Sequence, residues 1–227
     1  IVDGDFGTNG LYVYHGTGWQ WVSGWYAEQM AAFGSNLYVD FGVKGLYRYN
    51  GTGWSYLTAW NAENLVVSGT NLYADFGING MYLYNGTAWS YLTGWNAEDL
   101  AIGLGGVVAD FGVKGLYAYH GTGWQQLSGL NAQAMTGSTT LLYVDFGING
   151  LYQHNGTNWA CLTSWDPEGL QVWSGALVAD FGANGLFRYD GTSWKGLSAW
   201  NADTMSANMT TSTTTTTTSS STTTSSS

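Results

Sequence analysis

The chain is poor in charge, and above all in positive charge. Only 9% of its 227 residues are charged, and five basic residues stand against 15 acidic ones, which gives a formal net charge of −10. A protein that binds nucleic acid must neutralise phosphates with Lys and Arg. This balance therefore argues against a nucleic-acid partner.

Long apolar runs and cysteine pairs are also missing. No apolar stretch approaches the ~20 residues that a transmembrane helix needs, so we expect no membrane span. The single cysteine, Cys161, excludes an intramolecular disulfide. It stands at a position where the repeats described below carry unrelated residues, so we interpret it as a variable filler and not as a reactive thiol.

What the sequence does contain is one 35-residue unit written six times. Each copy has Asp-Phe-Gly, at residues 5, 40, 75, 110, 145 and 180, followed by a further Gly, a Gly-Thr pair and a Trp. A unit this short cannot bury its own apolar face and must stack on its neighbours. The repeat spacing therefore predicts a fold built from stacked copies of one unit.

Each copy predicts four short strands. In one copy, runs of β-branched and aromatic residues at 65–68, 72–76, 80–84 and 88–93 are separated by Gly/Asn turns. Asn-Gly turns demand antiparallel neighbours, which argues against the structural alternative, a parallel β-helix. The sequence therefore predicts an all-β fold, a six-bladed β-propeller of four-stranded blades.

The two ends of the chain each contain part of one blade. Residues 1–7 match the second strand of a blade, so the first blade lacks its innermost strand, while residues 205–208 match a first strand with no blade to follow. We expect this C-terminal strand to complete the first blade, either within the chain or in a neighbouring copy. The predicted propeller domain is 1–209.

Residues 210–227 form a second segment that consists entirely of Ser and Thr. This composition cannot build a core and is typical of an O-glycosylated stalk. Fully extended, the segment reaches ~60 Å, enough to serve as an arm between subunits. The candidate O-glycosylation sites are Thr210, Thr211, Ser212, Thr213, Thr214, Thr215, Thr216, Thr217 and Thr218.

Asn208, in Asn-Met-Thr, is the candidate N-glycosylation site. Asn-Gly-Thr at 50, 85 and 155 fits the same pattern. There, however, a hairpin turn explains the Asn by itself, since His or Asp replaces it in other copies.

Two acidic positions recur. The Asp of Asp-Phe-Gly is expected to accept backbone N–H groups of the turn that follows. The other position lies in the crossover between blades, where Gln in one copy indicates that charge is dispensable; its residues are Glu28, Glu63, Glu98, Gln133, Glu168 and Asp203. One Asp per blade supplies too few oxygen ligands for calcium, so we predict no metal site and no cofactor.

No constellation of residues predicts catalysis. Asp-Phe-Gly is a kinase motif elsewhere, but the other kinase motifs are missing here. His15 and His120 occupy hairpin turns and His154 replaces a strand Tyr, so none is paired with a nucleophile. A sixfold repeat also offers no asymmetric cleft, and we therefore expect no enzymatic activity.

Recurring crossover tryptophans suggest an alternative, a multivalent carbohydrate-binding lectin or adhesin. Tryptophan faces stack on sugar rings, and these residues stand near Asn and acidic side chains; they are Trp25, Trp60, Trp95, Trp165 and Trp200. Packing of one blade on the next explains the same residues. Leu130 replaces Trp in one copy without other adjustment, which favours packing.

The repeat motifs Leu-Tyr-Val-Asp-Phe-Gly, Gly-Leu-Tyr-Arg-Tyr-Asn-Gly-Thr-Gly-Trp and Trp-Asn-Ala-Glu resemble those of secreted bacterial β-propeller repeat proteins. With its Ser/Thr tail, the chain resembles subunits of extracellular glycosylated β-propeller filaments. The resemblance implies an extracellular structural protein whose partners are copies of itself and covalently attached glycans. It supplies no catalytic residues.

Overall fold

The computed structural model describes residues 2–14, 16–202 and 205. Within these ranges the chain forms 23 strands in six antiparallel sheets, five of four strands and one of three. Each sheet is a blade made of strands that are consecutive in the chain. This confirms the predicted six-bladed β-propeller. No helix in the described ranges is long and apolar enough to cross a membrane.

The first three blades contain strands β1 to β11. Blade 1 comprises β1 (Val2–Asp5), β2 (Leu11–Tyr14) and β3 (Trp19–Ser23). Blade 2 comprises β4 (Gln29–Phe33), β5 (Asn36–Asp40), β6 (Leu46–Tyr49) and β7 (Trp54–Thr58). Blade 3 comprises β8 (Asn64–Ser68), β9 (Asn71–Asp75), β10 (Met81–Tyr84) and β11 (Trp89–Thr93).

The last three blades contain strands β12 to β23. Blade 4 comprises β12 (Asp99–Gly103), β13 (Gly106–Asp110), β14 (Leu116–Tyr119) and β15 (Trp124–Ser128). Blade 5 comprises β16 (Ala134–Gly137), β17 (Leu142–Asp145), β18 (Leu151–His154) and β19 (Trp159–Thr163). Blade 6 comprises β20 (Gly169–Trp173), β21 (Ala176–Asp180), β22 (Leu186–Tyr189) and β23 (Trp194–Ser198).

Successive inner strands lie beside one another, as β16 and β20 do. The Cε of Met205 lies 3.1 Å from the point where a Cβ on Gly169 would stand, beside the inner strand of blade 6. Met205 thus occupies the place where a following blade would begin. The rest of the predicted C-terminal strand, with Asp203, Asn208 and the tail 210–227, lies outside the described residues, as does His15.

A 3-10 turn follows Asp-Phe in every blade and joins the second strand to the third. The turns span Gly7–Asn9, Gly42–Lys44, Gly77–Asn79, Gly112–Lys114, Gly147–Asn149 and Gly182–Asn184. The sequence predicted a tight connection here but not its type. Each turn ends on a Gly with positive φ, such as Gly80 at 83°, which explains why that Gly recurs.

A β-bulge interrupts the pairing of the third and fourth strands in every blade. In blade 2, Leu46 pairs with Thr58 and Tyr47 with Tyr56, so Leu57 is the extra residue. The bulge residues are Val22, Leu57, Leu92, Leu127, Leu162 and Leu197.

At three of the bulges, one blade is connected to the next. The indole Nε1 of Trp54 in blade 2 donates to the carbonyl of the bulge residue Val22 in blade 1 at 2.9 Å. Trp159 donates to the bulge residue Leu127 in the same way at 3.2 Å. Trp124 donates to the bulge residue Leu92 at 3.4 Å, whereas the buried Nε1 atoms of Trp89 and Trp194 have no hydrogen-bond partner. This Trp therefore links blades through a hydrogen bond in three of the six copies.

The apolar core is divided into layers between successive blades. Between blades 2 and 3, for example, Tyr38 and Leu46 pack with Leu65, Leu72 and Phe76. Equivalent clusters join blades 1 and 2, 3 and 4, 4 and 5, and 5 and 6. Each blade is thus stabilised mainly by its neighbours, as a short repeat requires.

We predict that Gly80→Ala destabilises the propeller more than Gly86→Ala does. Both glycines have positive φ, 83° and 98°. An added Cβ would overlap the carbonyl oxygen of Thr93 at Gly80, whereas it would meet nothing within 4 Å at Gly86. We expect losses in the free energy of unfolding of roughly 3 kcal/mol and about 1 kcal/mol, respectively, in urea titrations. Equal losses would contradict this account of the turn.

Candidate functional site

Three crossovers, those before blades 2, 4 and 5, are tied to two blades by consecutive backbone N–H groups. Ala27 donates to Asp5 Oδ2 in blade 1 at 2.8 Å, and Glu28 donates to the carbonyl oxygen of Asp40 in blade 2, also at 2.8 Å. The side-chain bond recurs from Ala97 to Asp75, from Ala132 to Asp110 and from Ala202 to Asp180, at 2.9–3.0 Å. It is not formed at Asp40, whose two carboxylate oxygens have no hydrogen-bond partner. One dipeptide therefore fixes the position of two neighbouring blades.

The other carboxylate oxygen of the same aspartate holds the turn. Asp5 Oδ1 accepts the N–H of Gly7 at 2.9 Å, and Asp110 Oδ1 accepts that of Gly112 at 3.0 Å. The same bond forms at Asp145 and Asp180 but not at Asp40 and Asp75, so the predicted role of the Asp-Phe-Gly aspartate is confirmed in four blades. Its second role, in holding the crossover, was not predicted, because the partner lies 22 residues further along the chain.

Four of these aspartates, Asp40, Asp75, Asp110 and Asp145, are fully buried, and burial raises the pKa of each. Asp40 and Asp75 are fully buried, and burial is the largest cause that raises the pKa of each to about 7. The backbone N–H groups that face each carboxylate oppose this shift. The nearby crossover glutamate adds to the shift, because two like charges disfavour ionisation.

Blade 5 departs from this arrangement. Its crossover reads Trp-Asp-Pro-Glu at 165–168, so Pro167 stands where the other crossovers have the donating Ala. Proline has no backbone N–H. Asp145 is fully buried, and its Oδ2 accepts no N–H, whereas its Oδ1 still accepts the N–H of Gly147 at 2.9 Å.

An acid and an amide have also exchanged places in this blade. Asn131 Nδ2 donates to Glu98 Oε2 at 3.1 Å, and Asn201 Nδ2 donates to Glu168 Oε2 at 3.1 Å. In blade 5, Gln133 stands at the position of the Glu and Asp166 at the position of the Asn. The carboxylate that Gln133 lacks is therefore present in the same pair of positions, at Asp166 in the next crossover. The substitution moves a charge and does not simply remove one.

The relocated carboxylate lies beside the incompletely bonded aspartate. Burial is the largest cause that raises the pKa of Asp145 to about 7, and Asp166 raises it further. The two residues line a polar cleft of about 360 Å³, with Gln133, Ala134, Pro167 and Glu168. Asp145 and Pro167 are buried at its floor, and the side chains of Gln133, Asp166 and Glu168 are exposed at its mouth.

The residue set of this cleft occurs in one blade only. The repeat-based expectation that no asymmetric cleft exists therefore missed it. The signal was present in the sequence: Asp166-Pro167 is the one crossover in which Pro replaces the donor, and Gln133 is the one Gln at the Glu position. Neither substitution is informative until the role of the Ala N–H is known.

The crossover tryptophans are half packed and half exposed. Trp25, Trp60, Trp95 and Trp165 contact the Phe of the following blade edge-on, with ring centroids 5.3–5.4 Å apart. Between 39% and 47% of each of these residues remains exposed. Lys44 Nζ covers Trp25 at 5.4 Å from the ring centroid and Lys114 Nζ covers Trp95 at 5.5 Å, while Asn replaces the Lys beside Trp60 and Trp165.

An aromatic cleft lies where blade 1 meets blade 2. Its volume is about 280 Å³, and Trp21, Trp25, Phe41, Tyr47 and Trp54 supply its aromatic lining. Tyr56 and Tyr91 occupy the position of Trp21 in the next two copies, so the junctions that follow carry equally aromatic residue sets.

Two aromatic residues on one side of blade 1 are exposed, whereas their equivalents in the other blades are packed against a neighbouring blade. Phe6 is 50% exposed, whereas its five equivalents are 4–7% exposed; they are Phe41, Phe76, Phe111, Phe146 and Phe181. Trp19 is 49% exposed, whereas its equivalents pack against the clusters between blades. We call Phe6 and Trp19 the first-blade face.

The side of blade 6 that would cover these residues is exposed as well. The bulge residue Leu197 is 48% exposed, and Trp200 is 81% exposed, against 39–47% for the other crossover tryptophans. We call Leu197 and Trp200 the sixth-blade face. Within the described part of the chain, six blades thus form only five packed interfaces.

No known protein family and no curated protein matches this sequence. Solved β-propellers match in fold. YCF48 bound to D1 peptide has 14% identity, with 82% of this chain and 74% of that chain covered, and a TM-score of 0.58. YCF48 from Cyanidioschyzon merolae has 12% identity, with 79% and 74% covered, and a TM-score of 0.55.

A third similar structure is the extracellular domain of the one-component system BT4673 from B. thetaiotaomicron. It has 16% identity and a TM-score of 0.58, with 83% of this chain but only 30% of that chain covered. At such identities the likeness shows the β-propeller fold alone.

We predict that the stability of the propeller falls as the pH rises from about 4 to about 7. The raised pKa of the buried aspartates means that the folded state holds protons that the unfolded chain loses near pH 3.8. The associated stabilisation is therefore complete below that pH and is lost as the pH rises through the folded-state pKa. His154, whose pKa burial lowers, acts in the opposite sense but is a single residue.

Thermal unfolding measures this effect. In roughly 0.5 M salt, which screens the surface charge, Tm should be higher by about 5 °C or more at about pH 5 than at about pH 8. A Tm that is constant or rises over this interval would show that the aspartates are ionised in the folded state.

Proposed function

We propose that this chain is an extracellular structural subunit, without enzymatic activity, that assembles with copies of itself through the first-blade and sixth-blade faces. The observation that carries the proposal is the exposure of Phe6, Trp19, Leu197 and Trp200 at positions that are packed at the five internal interfaces. Four of those interfaces have the same Trp–Phe pair, and Leu130 replaces the Trp in the fifth.

The two faces are complementary because the internal interfaces define how they fit. Trp25 packs on Phe41 with ring centroids 5.4 Å apart, so Trp200 of one copy has an equivalent partner in Phe6 of another. Trp54 donates to the bulge carbonyl of Val22, and Trp19 and Leu197 are the corresponding pair. Because the two faces differ, the contact is head to tail, which produces a filament when it does not close into a ring.

The chain ends support the same arrangement. The inner strand that blade 1 lacks is supplied in sequence by residues 205–208, which follow blade 6. A neighbouring copy that receives this strand would gain it together with the sixth-blade face. The Ser/Thr tail at 210–227 would then continue onto the neighbour, carrying the O-linked glycans proposed at Thr210–Thr218 and an N-linked glycan at Asn208.

An extracellular location is proposed on two grounds. The tail has the composition of a glycosylated stalk. The fold is similar to that of the extracellular domain of BT4673.

Sedimentation velocity of the wild type and of Phe6→Ser tests the assembly. Burial of a Phe side chain contributes roughly 1.5–3 kcal/mol, so the variant should need at least about 10-fold more protein to associate. Val43→Ser is the matched control, because it removes an apolar side chain that is 98% exposed and lies on neither face.

Two results would contradict the proposal. A wild type that stays monomeric, with Phe6 and Trp19 shielded from solvent, would mean that the ring closes within one chain. An equal effect of Val43→Ser would mean that association is unspecific.

Carbohydrate binding is the second candidate function, and the aromatic cleft and the half-exposed crossover tryptophans favour it. Trp60 and Trp165 have no Lys above the ring, so they are the stronger candidates, ahead of Trp25, Trp95 and Trp200.

After a glycan array identifies a ligand, Trp60→Leu and Trp165→Leu should each weaken binding about 10-fold. Trp95→Leu is the control, because Lys114 covers this ring, and it should leave the affinity for the glycan nearly unchanged. If all three variants lost the same affinity, or if the array showed no bound glycan, the lectin hypothesis would be rejected.

A further inference from the structure

The cleft of blade 5 lacks one hydrogen-bond donor. At Asp5, Asp75, Asp110 and Asp180 a crossover N–H donates to Oδ2 at 2.8–3.0 Å. Asp40 makes no such bond, but its crossover retains the Ala62 N–H as a potential donor. Pro167 removes this donor from Asp145, whose buried Oδ2 receives no N–H. The neighbouring Asp166 carboxyl raises the pKa of Asp145 through its charge and through a side-chain hydrogen bond. A buried acceptor without a donor costs roughly 1–3 kcal/mol, so a group that supplies an N–H there is stabilised.

The cleft also lacks positive charge. Asp145 and Asp166 lie beside each other, and Glu168 stands at the mouth, whereas none of the six lining residues is basic. Two neighbouring carboxylates disfavour each other's ionisation, and a cation between them relieves the repulsion. The cleft therefore favours an occupant that carries both a positive charge and N–H donors.

We infer that this cleft binds a primary alkylammonium group, with Asp145 and Asp166 as its acceptors. An ammonium has three N–H donors and no acceptor, which suits the orphan oxygen of Asp145, the Asp166 carboxylate and the amide oxygen of Gln133. The cleft volume of about 360 Å³ admits a small alkylammonium. The group replaces, from outside, the N–H that Ala supplies from within the chain in other blades.

A divalent cation is the competing occupant. It needs several oxygen ligands, and in the described ranges no group of three or more His, Cys, Asp and Glu side chains is arranged to hold a metal ion. The structure thus favours an N–H donor over a metal. The inference is independent of the proposed self-assembly, since the cleft lies on blade 5 and the two faces lie on blades 1 and 6.

The test is a titration of the full chain with n-butylammonium, followed by the carboxyl carbon-13 NMR signals of its aspartates. We expect saturable shifts at Asp145 and Asp166 and none at Asp110, whose Oδ2 already accepts the N–H of Ala132 at 2.9 Å. Tetramethylammonium carries the same charge without N–H donors, and it should produce no saturable shift.

Pro167→Ala is the decisive variant, because it restores the missing N–H without changing any charge. Ala is the residue that the other five crossovers carry here, so the variant should fold, and its circular dichroism and Tm check this. We expect at least a 10-fold loss of n-butylammonium binding. Asp166→Asn should also weaken binding.

Three outcomes would overturn the inference. Equal binding by Pro167→Ala, or equal binding of tetramethylammonium, would reduce the interaction to unspecific attraction to an acidic surface. Shifts at Asp145 with calcium but not with n-butylammonium would make the cleft a metal site. An absence of any shift at Asp145 and Asp166 would mean that the two carboxyl groups satisfy each other by sharing a proton.

Discussion

The dipeptide that joins one blade to the next is the constraint on which the rest of the structure depends. Its first residue donates an N–H to an aspartate side chain in the blade behind, and its second donates to an aspartate carbonyl in the blade ahead, as Ala27 and Glu28 do. Because the two donors are adjacent, the spacing between blades is fixed within a few ångströms. The bulge carbonyl and the Trp of the next blade add a second connection at the outer edge.

This constraint explains why two exceptions matter. Where the donor is lost, at Pro167, a buried carboxylate oxygen receives no N–H and an acid-lined cleft results. Where the series of blades begins and ends, an apolar face on blade 1 and another on blade 6 have no partner within the described chain. The proposed self-assembly and the proposed alkylammonium site both use positions where this regularity fails.

The strands and the number of blades were predictable from sequence, because strand periodicity, Gly/Asn turns and a 35-residue period are local signals. The turn-holding role of the Asp was predictable for the same reason, since Gly7 follows Asp5 by two residues. The partners of its second oxygen lie 22 residues away, and those of the bulge carbonyls 32 residues away. Such contacts depend on how blades stack, so the sequence did not reveal them.

The cleft was missed for a related reason. Gln133 and Asp166 are 33 residues apart, and each looks like a harmless substitution when its own repeat is considered alone. Only the pairing of Glu98 with Asn131 shows that an acid and an amide have exchanged places. The exposure of Phe6 and Trp200 also could not be predicted, because both residues match the repeat pattern fully, and only the missing neighbour distinguishes them.

The most direct measurement of the central claim is a cross-link between the two exposed faces. A variant with Phe6→Cys and Trp200→Cys, in a Cys161→Ser background, has one thiol on each face and no other. Oxidised under native conditions, it should give a ladder of covalent oligomers in non-reducing gels, because the first-blade face of one copy meets the sixth-blade face of the next. A single covalent monomer, with both thiols consumed, would contradict the account, since the two faces would then close the ring within one chain.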